Sequence, residues 1–197
     1  MRFDSLQETL TRAGFSVHTF PTGQAAKDWL AAQWSGKTIG LGGSMTLEDL
    51  GLYEALSQGN TVYWHWRTPG TATLAQAAQA QVYLSSVNAV AETGELINID
   101  GTGNRVASMI FGPKNVALII GKNKFAETMD ECMDRIKAVA CAKNAQRLGL
   151  STPCAVAGRC TDCFSKERIC SVTTIIEAKP GAISEMHLIL VDEVLGY

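Results

Sequence analysis

The chain has 197 residues, of which 46% are hydrophobic and 18% are charged, and its formal net charge at pH 7 is −2. This length can bury a core without disulfides, and the weak charge argues against nucleic acid or a membrane surface as a partner. The longest apolar runs, such as Val116–Ile120, are too short to span a bilayer. Because the first residues show no signal-peptide core, we expect a cytoplasmic protein.

Helices and strands alternate along the first two-thirds of the sequence. Hydrophobic periodicity and turn residues predict helices at 3–14, 22–33, 46–58, 71–80 and 125–148, and strands at 15–20, 38–41, 61–66, 81–86, 115–120, 173–177 and 186–191. Two short apolar runs around Thr93 and Gly94 predict two more strands joined by a turn within 88–100. The pattern predicts an α/β fold with an open, mostly parallel sheet and helices on both faces. We interpret residues 1–197 as a single domain with a cysteine-rich loop at 154–170.

The first glycine-rich turn, Gly40–Thr46, follows a short buried strand and opens a helix. It has neither the Lys-Ser/Thr pair of a P-loop nor the G-x-G-x-x-G spacing. The glycines either permit a tight strand-to-helix crossover, or they expose N–H groups that bind a phosphate or carboxylate. The second interpretation makes Gly42, Gly43, Ser44 and Thr46 ligand-binding residues.

Two further polar loops follow predicted strands, at 88–105 and at 121–124. Their candidate ligand-binding residues are Asn88, Asp100, Gly101, Gly103, Asn104, Arg105 and Lys124. Asp100 and Asn104 could instead cap turns. Arg105 either clamps an anion in a bidentate manner or pairs with a neighbouring acid, and Lys124 is alternatively a solvated loop lysine. Since ligands of open α/β sheets bind beyond the carboxyl ends of strands, the three loops together predict a crevice for a small anionic metabolite.

Glu92 is the candidate catalytic residue. It follows an apolar run and precedes a turn, so it is either a surface carboxylate or, if it points into the crevice, a base or nucleophile. The three histidines, His18, His65 and His187, each lie in a predicted strand and are interpreted as structural.

Four of the six cysteines, Cys154, Cys160, Cys163 and Cys170, lie in one polar loop with the spacing C-x5-C-x2-C-x6-C. Soft thiolate ligands at this density suit tetrahedral zinc or an iron–sulfur cluster. The alternatives are free thiols or disulfides formed on oxidation. The spacing is typical of neither a zinc ribbon nor a ferredoxin. We therefore predict a metal site, and the spacing does not decide between zinc and an iron–sulfur cluster.

Several segments resemble the LUD (lactate utilisation protein) domain family. Gly42–Gly51 is similar to the family's GGS-x-T-x-x-E-x-G segment, with Asp49 where the family usually has Glu. The other similar segments are Ser86–Arg105, Gly112–Val116 and Gly121–Lys124, and the loop Pro153–Cys170 is similar to that of a short, cysteine-bearing branch. The resemblance extends over nearly the whole chain.

The resemblance implies a fold like that of the ribose-5-phosphate isomerase and CoA-transferase group, with its site at the glycine loops. It also implies a link to the oxidation of lactate to pyruvate, where LUD proteins act beside iron–sulfur subunits. The leading hypothesis is a LUD-domain protein of organic-acid metabolism that binds a small anionic metabolite or cofactor. The alternatives are a non-catalytic iron–sulfur electron-transfer or assembly subunit, and an isomerase or acyl/CoA transferase that uses Glu92.

Four tryptophans bear on whether the chain forms a homo-oligomer. Trp29, Trp34, Trp64 and Trp66 lie in the first third of the sequence. They predict either an apolar interface with a second copy or ordinary buried packing.

Overall fold

A computed structural model describes residues 3–197. Its helices are α1 (Phe3–Arg12), α2 (Gly23–Gln33), α3 (Met45–Asp49), α4 (Leu52–Ser57), α5 (Thr71–Ala78), α6 (Asn104–Ile110), α7 (Met129–Arg135), α8 (Cys141–Arg147) and α9 (Pro153–Ala157). Its strands are β1 (Ser16–Phe20), β2 (Thr38–Leu41), β3 (Thr61–Trp64), β4 (Val82–Ser85), β5 (Ala89–Ala91), β6 (Leu96–Asp100), β7 (Asn115–Gly121), β8 (Phe125–Ala126), β9 (Val172–Ile176) and β10 (Glu185–Val191). No helix within residues 3–197 has both the length and the apolar character that crossing a bilayer requires.

The main sheet has the strand order β1-β10-β7-β4-β2-β3, and every neighbouring pair within it is parallel. Strand β7 pairs with β10 along seven residues and with β4 on its other side. Its side chains alternate between two cores, with Val116 and Leu118 in one and Ala117 and Ile119 in the other. Apolar packing on both faces explains the unbroken hydrophobic run, and the predicted α/β class is confirmed.

A second, smaller sheet has the order β8-β5-β6-β9 and mixes parallel and antiparallel pairs. The sequence predicts β5, β6 and β9 as strands but does not predict that they form a separate sheet. A small core joins this sheet to α7 and includes Ala89, Ala91, Ile97, Cys132 and Ile136. The second sheet therefore carries α7 and the segment that follows it.

Two predicted helices are interrupted. The helix predicted at 46–58 divides into α3 and α4 at Gly51, whose φ of 60° lies in the left-handed region. The helix predicted at 125–148 begins at α7, where Thr128 and Glu131 form a capping box. A π-helical turn, Ile136–Ala140, then separates α7 from α8. Such turns occur often at functional sites.

The tryptophans pack against the core on the α2 side of the main sheet. Trp64 is 1% exposed and stacks on Trp66 with the ring centroids 5.2 Å apart. Trp29, Trp34 and Trp66 are partly buried against the same core. Buried packing therefore accounts for these side chains.

Candidate functional site

A crevice of about 350 Å³ opens beyond the carboxyl ends of β2, β3, β4 and β7. All three predicted loops contribute to it. The predicted residues that line it are Gly43, Ser44, Thr46, Asn88, Asp100, Gly101, Asn104, Arg105, Lys124, Cys154, Cys160, Cys163 and Cys170. Parallel strands bring their carboxyl ends to one edge of the sheet, and this is why loops far apart in sequence meet here.

Lys124 is buried beneath the crevice, with only 4% of its surface exposed. Its Nζ donates hydrogen bonds to Thr46 Oγ1 at 2.9 Å and to Ser86 Oγ at 2.7 Å. Burial, and then the nearby charges of Arg135 and Arg105, lower the pKa of Lys124 to about 7. Lys124 is therefore not a solvated loop lysine.

The ammonium form of Lys124 keeps hydrogen-bonding capacity for a ligand. A lysine ammonium has three N–H donors, and the two hydroxyl acceptors use two of them. Lys124 forms no ion pair with any acid in residues 3–197, whereas the exposed Lys122 pairs with Asp192 at 3.1 Å. A buried cation without a carboxylate partner is costly, and an anionic ligand would remove that cost.

Arg105 differs from Lys124, because acceptors within the protein take hydrogen bonds from all of its N–H groups. Its guanidinium donates to Ser86 O (2.9 Å), Asn98 Oδ1 (2.9 Å), Asn88 Oδ1 (3.2 Å), Ile99 O (2.9 Å) and the Asp100 carboxylate (3.3 Å). A guanidinium has five N–H donors, so none remains for a bidentate anion clamp. Burial lowers the pKa of Arg105, and Asp100 partly reverses that effect. Pairing with a neighbouring acid is the alternative that the structure shows.

Two predicted glycines, Gly42 and Gly103, shape the loops without lining the crevice. A Cβ at Gly42 would lie 2.7 Å from Ser85 Oγ and 2.8 Å from Tyr83 Oη, so this glycine permits close packing. Gly103 precedes α6 with a φ of 86°, and its N–H donates to Asp100 Oδ1 at 2.8 Å. Neither Gly42 nor Gly103 lines the crevice. Asp100 caps the turn, as the second interpretation of that residue predicts.

The polar side chains that line the crevice without a hydrogen-bond partner in residues 3–197 include those of Ser44, Thr102, Asn104 and Thr161. Ser44 is the N-cap residue of α3 but makes no capping bond through its side chain. Thr46 lies inside α3 and contacts Lys124. The free hydroxyls and amide are therefore available to a bound ligand.

Glu92 lies outside the crevice. It is exposed, in the turn between β5 and β6, and its N–H donates to Ala126 O. It does not line the cavity, so its position is that of the surface-carboxylate alternative and gives no geometric support to a role as base.

His65 is a crevice residue that the sequence interpretation missed. It follows β3 directly and lines the cavity, and its buried Nδ1 has no hydrogen-bond partner within residues 3–197. Burial lowers the pKa of His65, which Asp100 partly offsets. His18 and His187 instead contact each other at 3.2 Å on β1 and β10. Its position directly after β3 could have identified it, because residues just past parallel strands lie at the edge of the sheet where the crevice opens.

The cysteine loop, residues 154–170, lies against the same crevice. All six cysteines are unpaired thiols, and a fifth crevice thiol, Cys141, comes from the start of α8. Burial, followed by the neighbouring thiols of Cys160, Cys170 and Cys154, raises the pKa of Cys141 to about 12. Within the part of the chain that the structure describes, no three His, Cys, Asp or Glu side chains form a group that could hold a metal ion.

Two comparisons describe what this chain resembles. A family model described as "LUD domain" matches residues 4–191. In fold, the chain is similar to the crystal structure of a DUF162 family protein from Deinococcus radiodurans, with a TM-score of 0.56 and 11% identity over 96% of this chain and 95% of that one. No curated protein matches the chain. At this identity the structural likeness shows the fold alone.

Proposed function

The chain belongs to the LUD domain family, and from that premise we propose that it binds a small organic anion of the lactate type in the crevice. Lys124 is the group that meets the anion, and the protein acts in organic-acid metabolism in the cytoplasm. The observation that carries this proposal is a buried lysine ammonium at a crevice with no carboxylate partner.

The charge of the lining supports an anionic ligand. Four basic residues line the crevice, Arg105, Lys124, Arg147 and Arg168, against two acidic ones, Asp100 and Asp162. Asp100 is already engaged by Arg105 at 3.3 Å. Such an excess of positive charge within a partly enclosed cavity attracts anions more strongly than it would in bulk water.

The remaining lining suits a metabolite with polar and apolar parts. Ser44, Thr102 and Asn104 offer hydroxyls and an amide. Val87, Ile99, Met45, Ile136 and Ile169 supply apolar surface. A cavity of about 350 Å³ is within the ordinary range for small-molecule sites.

Titration calorimetry with lactate, pyruvate, a sugar phosphate and a CoA ester tests the proposal. We expect lactate or pyruvate to bind the wild-type chain. We expect Lys124→Met to weaken that binding about tenfold or more, because a charge-assisted hydrogen bond contributes about 1.5–3 kcal/mol. Ser44→Ala should weaken it less, because only one neutral hydroxyl is removed.

Lys122→Met is the matched control, since Lys122 lies in the same loop but is exposed and paired with Asp192. It should leave the affinity unchanged. The proposal fails if none of the four compounds binds, or if Lys122→Met weakens binding as much as Lys124→Met. Arg105 is unsuitable as a test position because its donors hold the loops together.

A further inference from the structure

The cysteine loop and the first glycine turn both line the crevice. Cys154, Cys160, Cys163 and Cys170 line the same cavity as Lys124 and Asn104. The sequence spacing grouped these four thiols but gave no indication that they share a cavity with the glycine loops.

The loop is fixed to the crevice at both ends. Near its start, the Cys160 N–H donates to Lys137 O at 2.9 Å, and Lys137 Nζ pairs with Asp162 at 3.1 Å. Just past its end, the Ser171 N–H donates to Asp100 O at 2.9 Å. Ile169 lies so close to Gly101 that a Cβ there would be 3.1 Å from the Ile169 backbone. The thiols are therefore held against the cavity.

One peptide N–H and several cationic side chains lie near the thiols. The Asp162 N–H donates to Cys160 Sγ at 3.4 Å. The Asp162 carboxylate also accepts from that thiol at 3.8 Å, and Lys137 pairs with this carboxylate at 3.1 Å. Arg147 and Arg168 line the same cavity. Peptide N–H bonds to sulfur and nearby positive charge both stabilise thiolates that ligate iron.

The thiols lack the closed arrangement that a single structural ion requires. A structural zinc ion gathers four sulfurs within roughly 4 Å of one another, because each Zn–S bond is about 2.3 Å and the site is closed and tetrahedral. In residues 3–197 the thiols border an open cavity and do not form such a group. An iron–sulfur cluster carries its ligands on separate iron atoms and so accepts thiols that are further apart.

We propose that Cys154, Cys160, Cys163 and Cys170 bind an iron–sulfur cluster that forms one wall of the crevice. Each thiol loses its proton when its sulfur binds iron, and iron and sulfide are the components that must be supplied. The position of the cluster rests on the proposed function in one respect: a ligand held at Lys124 lies in the cavity that the cluster borders, and its binding will change the cluster's spectrum.

Anaerobic purification of the full chain, or its reconstitution with ferrous iron and sulfide, tests the cluster. We expect a brown protein with equimolar iron and acid-labile sulfide. Cys163→Ser and Cys170→Ser should each lose most of the iron. Cys132→Ala is the control, because Cys132 lies on α7, is buried in the small core and does not line the crevice. This variant should keep the cluster.

A colourless protein that holds zinc or no metal would overturn the proposal, and so would equal loss of iron in Cys132→Ala. The wild-type iron and sulfide content decides this even if a serine variant fails to fold. Visible circular dichroism with added pyruvate tests the position: a changed spectrum supports it, and an unchanged spectrum while calorimetry detects binding overturns it. Absence of pyruvate binding by calorimetry would count against the proposed function alone, because the metal content does not depend on a ligand.

Discussion

Two lysines of one loop show how strongly the environment of a single residue decides its chemistry. Lys122 and Lys124 are two positions apart, yet Lys122 is half exposed and paired with Asp192, whereas Lys124 is 4% exposed between two hydroxyls. In the unfolded chain both are ordinary lysines. Only folding lowers the pKa of Lys124 to about 7, so that the ammonium and neutral forms are both populated near that pH.

We predict that Lys124 makes the free energy of unfolding rise with pH. The pKa of Lys124 is 10.5 without perturbation and about 7 in the folded chain, so between these values the unfolded state binds more protons. Stability contributed by Lys124 is therefore complete above about pH 10.5, falls as the pH falls, and reaches its minimum below about pH 7. At about 1.4 kcal/mol per pKa unit, the window spans on the order of 5 kcal/mol.

Urea unfolding at closely spaced pH values measures this effect as a difference between proteins. Subtracting the Lys124→Met curve from the wild-type curve removes the other groups that titrate in the window. The difference should rise between pH 7 and pH 10, and Lys122→Met should show no such rise. A flat difference for Lys124→Met would mean that the lysine keeps an ordinary pKa in the folded chain.

Arg105 leads to a second prediction, on stability. Replacing it with alanine leaves Asp100 as a buried, unpaired carboxylate and strips partners from Asn98 and two backbone carbonyls. We expect Arg105→Ala to lower the free energy of unfolding by about 3–5 kcal/mol, the usual cost of breaking a buried pair. Arg105→Lys should recover less than half of this, because lysine has three donors where arginine has five.

Urea denaturation checks the prediction, with Arg12→Ala as the control. Arg12 is exposed on α1, so its loss should change stability by no more than about 0.5 kcal/mol. If Arg105→Ala and Arg12→Ala had equal free energies of unfolding, the five hydrogen bonds of Arg105 would make no net contribution to stability.

At the scale of elements, local pattern predicted the main sheet well. The strands β2 and β7 lie where their apolar runs predict them, because burial on both faces leaves a continuous signal in the sequence. The glycine turns also mark the edge of the sheet at which the crevice opens, since strand ends and tight turns are local features.

Other elements depend on contacts that a local pattern does not contain. Helix α6 has seven residues, and its buried face includes the polar Ser108, so it lacks a clear apolar period. Strand β8 has two residues and exists through its pairing with β5. The π-helical turn breaks the 3.6-residue period that predicted one long helix at 125–148.

The same limit applies to the candidate site. In the sequence, Arg105 and Lys124 are both basic loop residues. Only the fold shows that Asn88, Asn98 and Asp100 surround Arg105 and accept hydrogen bonds from its guanidinium. Cys141 has no spacing that links it to the cysteine loop, because α8 brings it there from a separate helix. Burial and partner choice are non-local, and sequence alone leaves those alternatives open.

At the scale of the whole molecule, the crevice has one wall built from a sheet and one wall built from a loop that is fixed at a few points. The sheet wall is the edge of the main sheet, where β7 is paired with β10 along seven residues and with β4 from Asn115 to Leu118. The other wall is the cysteine loop, where residues 158–171 contain no helix or strand. In this segment only the N–H groups of Gly158, Cys160, Arg168 and Ser171 donate to backbone carbonyls. Most of its amides therefore lack the backbone hydrogen bonds that slow exchange.

We therefore predict a steep contrast in amide hydrogen exchange within the metal-free protein. Amides of β7 should exchange only through global unfolding, which for a stable domain costs about 5–15 kcal/mol. Amides of 158–171 should exchange through local opening, at rates on the order of a thousand times faster or more. Mass spectrometry of peptides from the two segments measures both in one sample, so β7 serves as the internal control. Equal protection of the two segments would show that the cysteine wall is as rigid as the sheet. Fast exchange would mean that the four thiols can adjust their positions while the glycine-loop wall keeps its geometry.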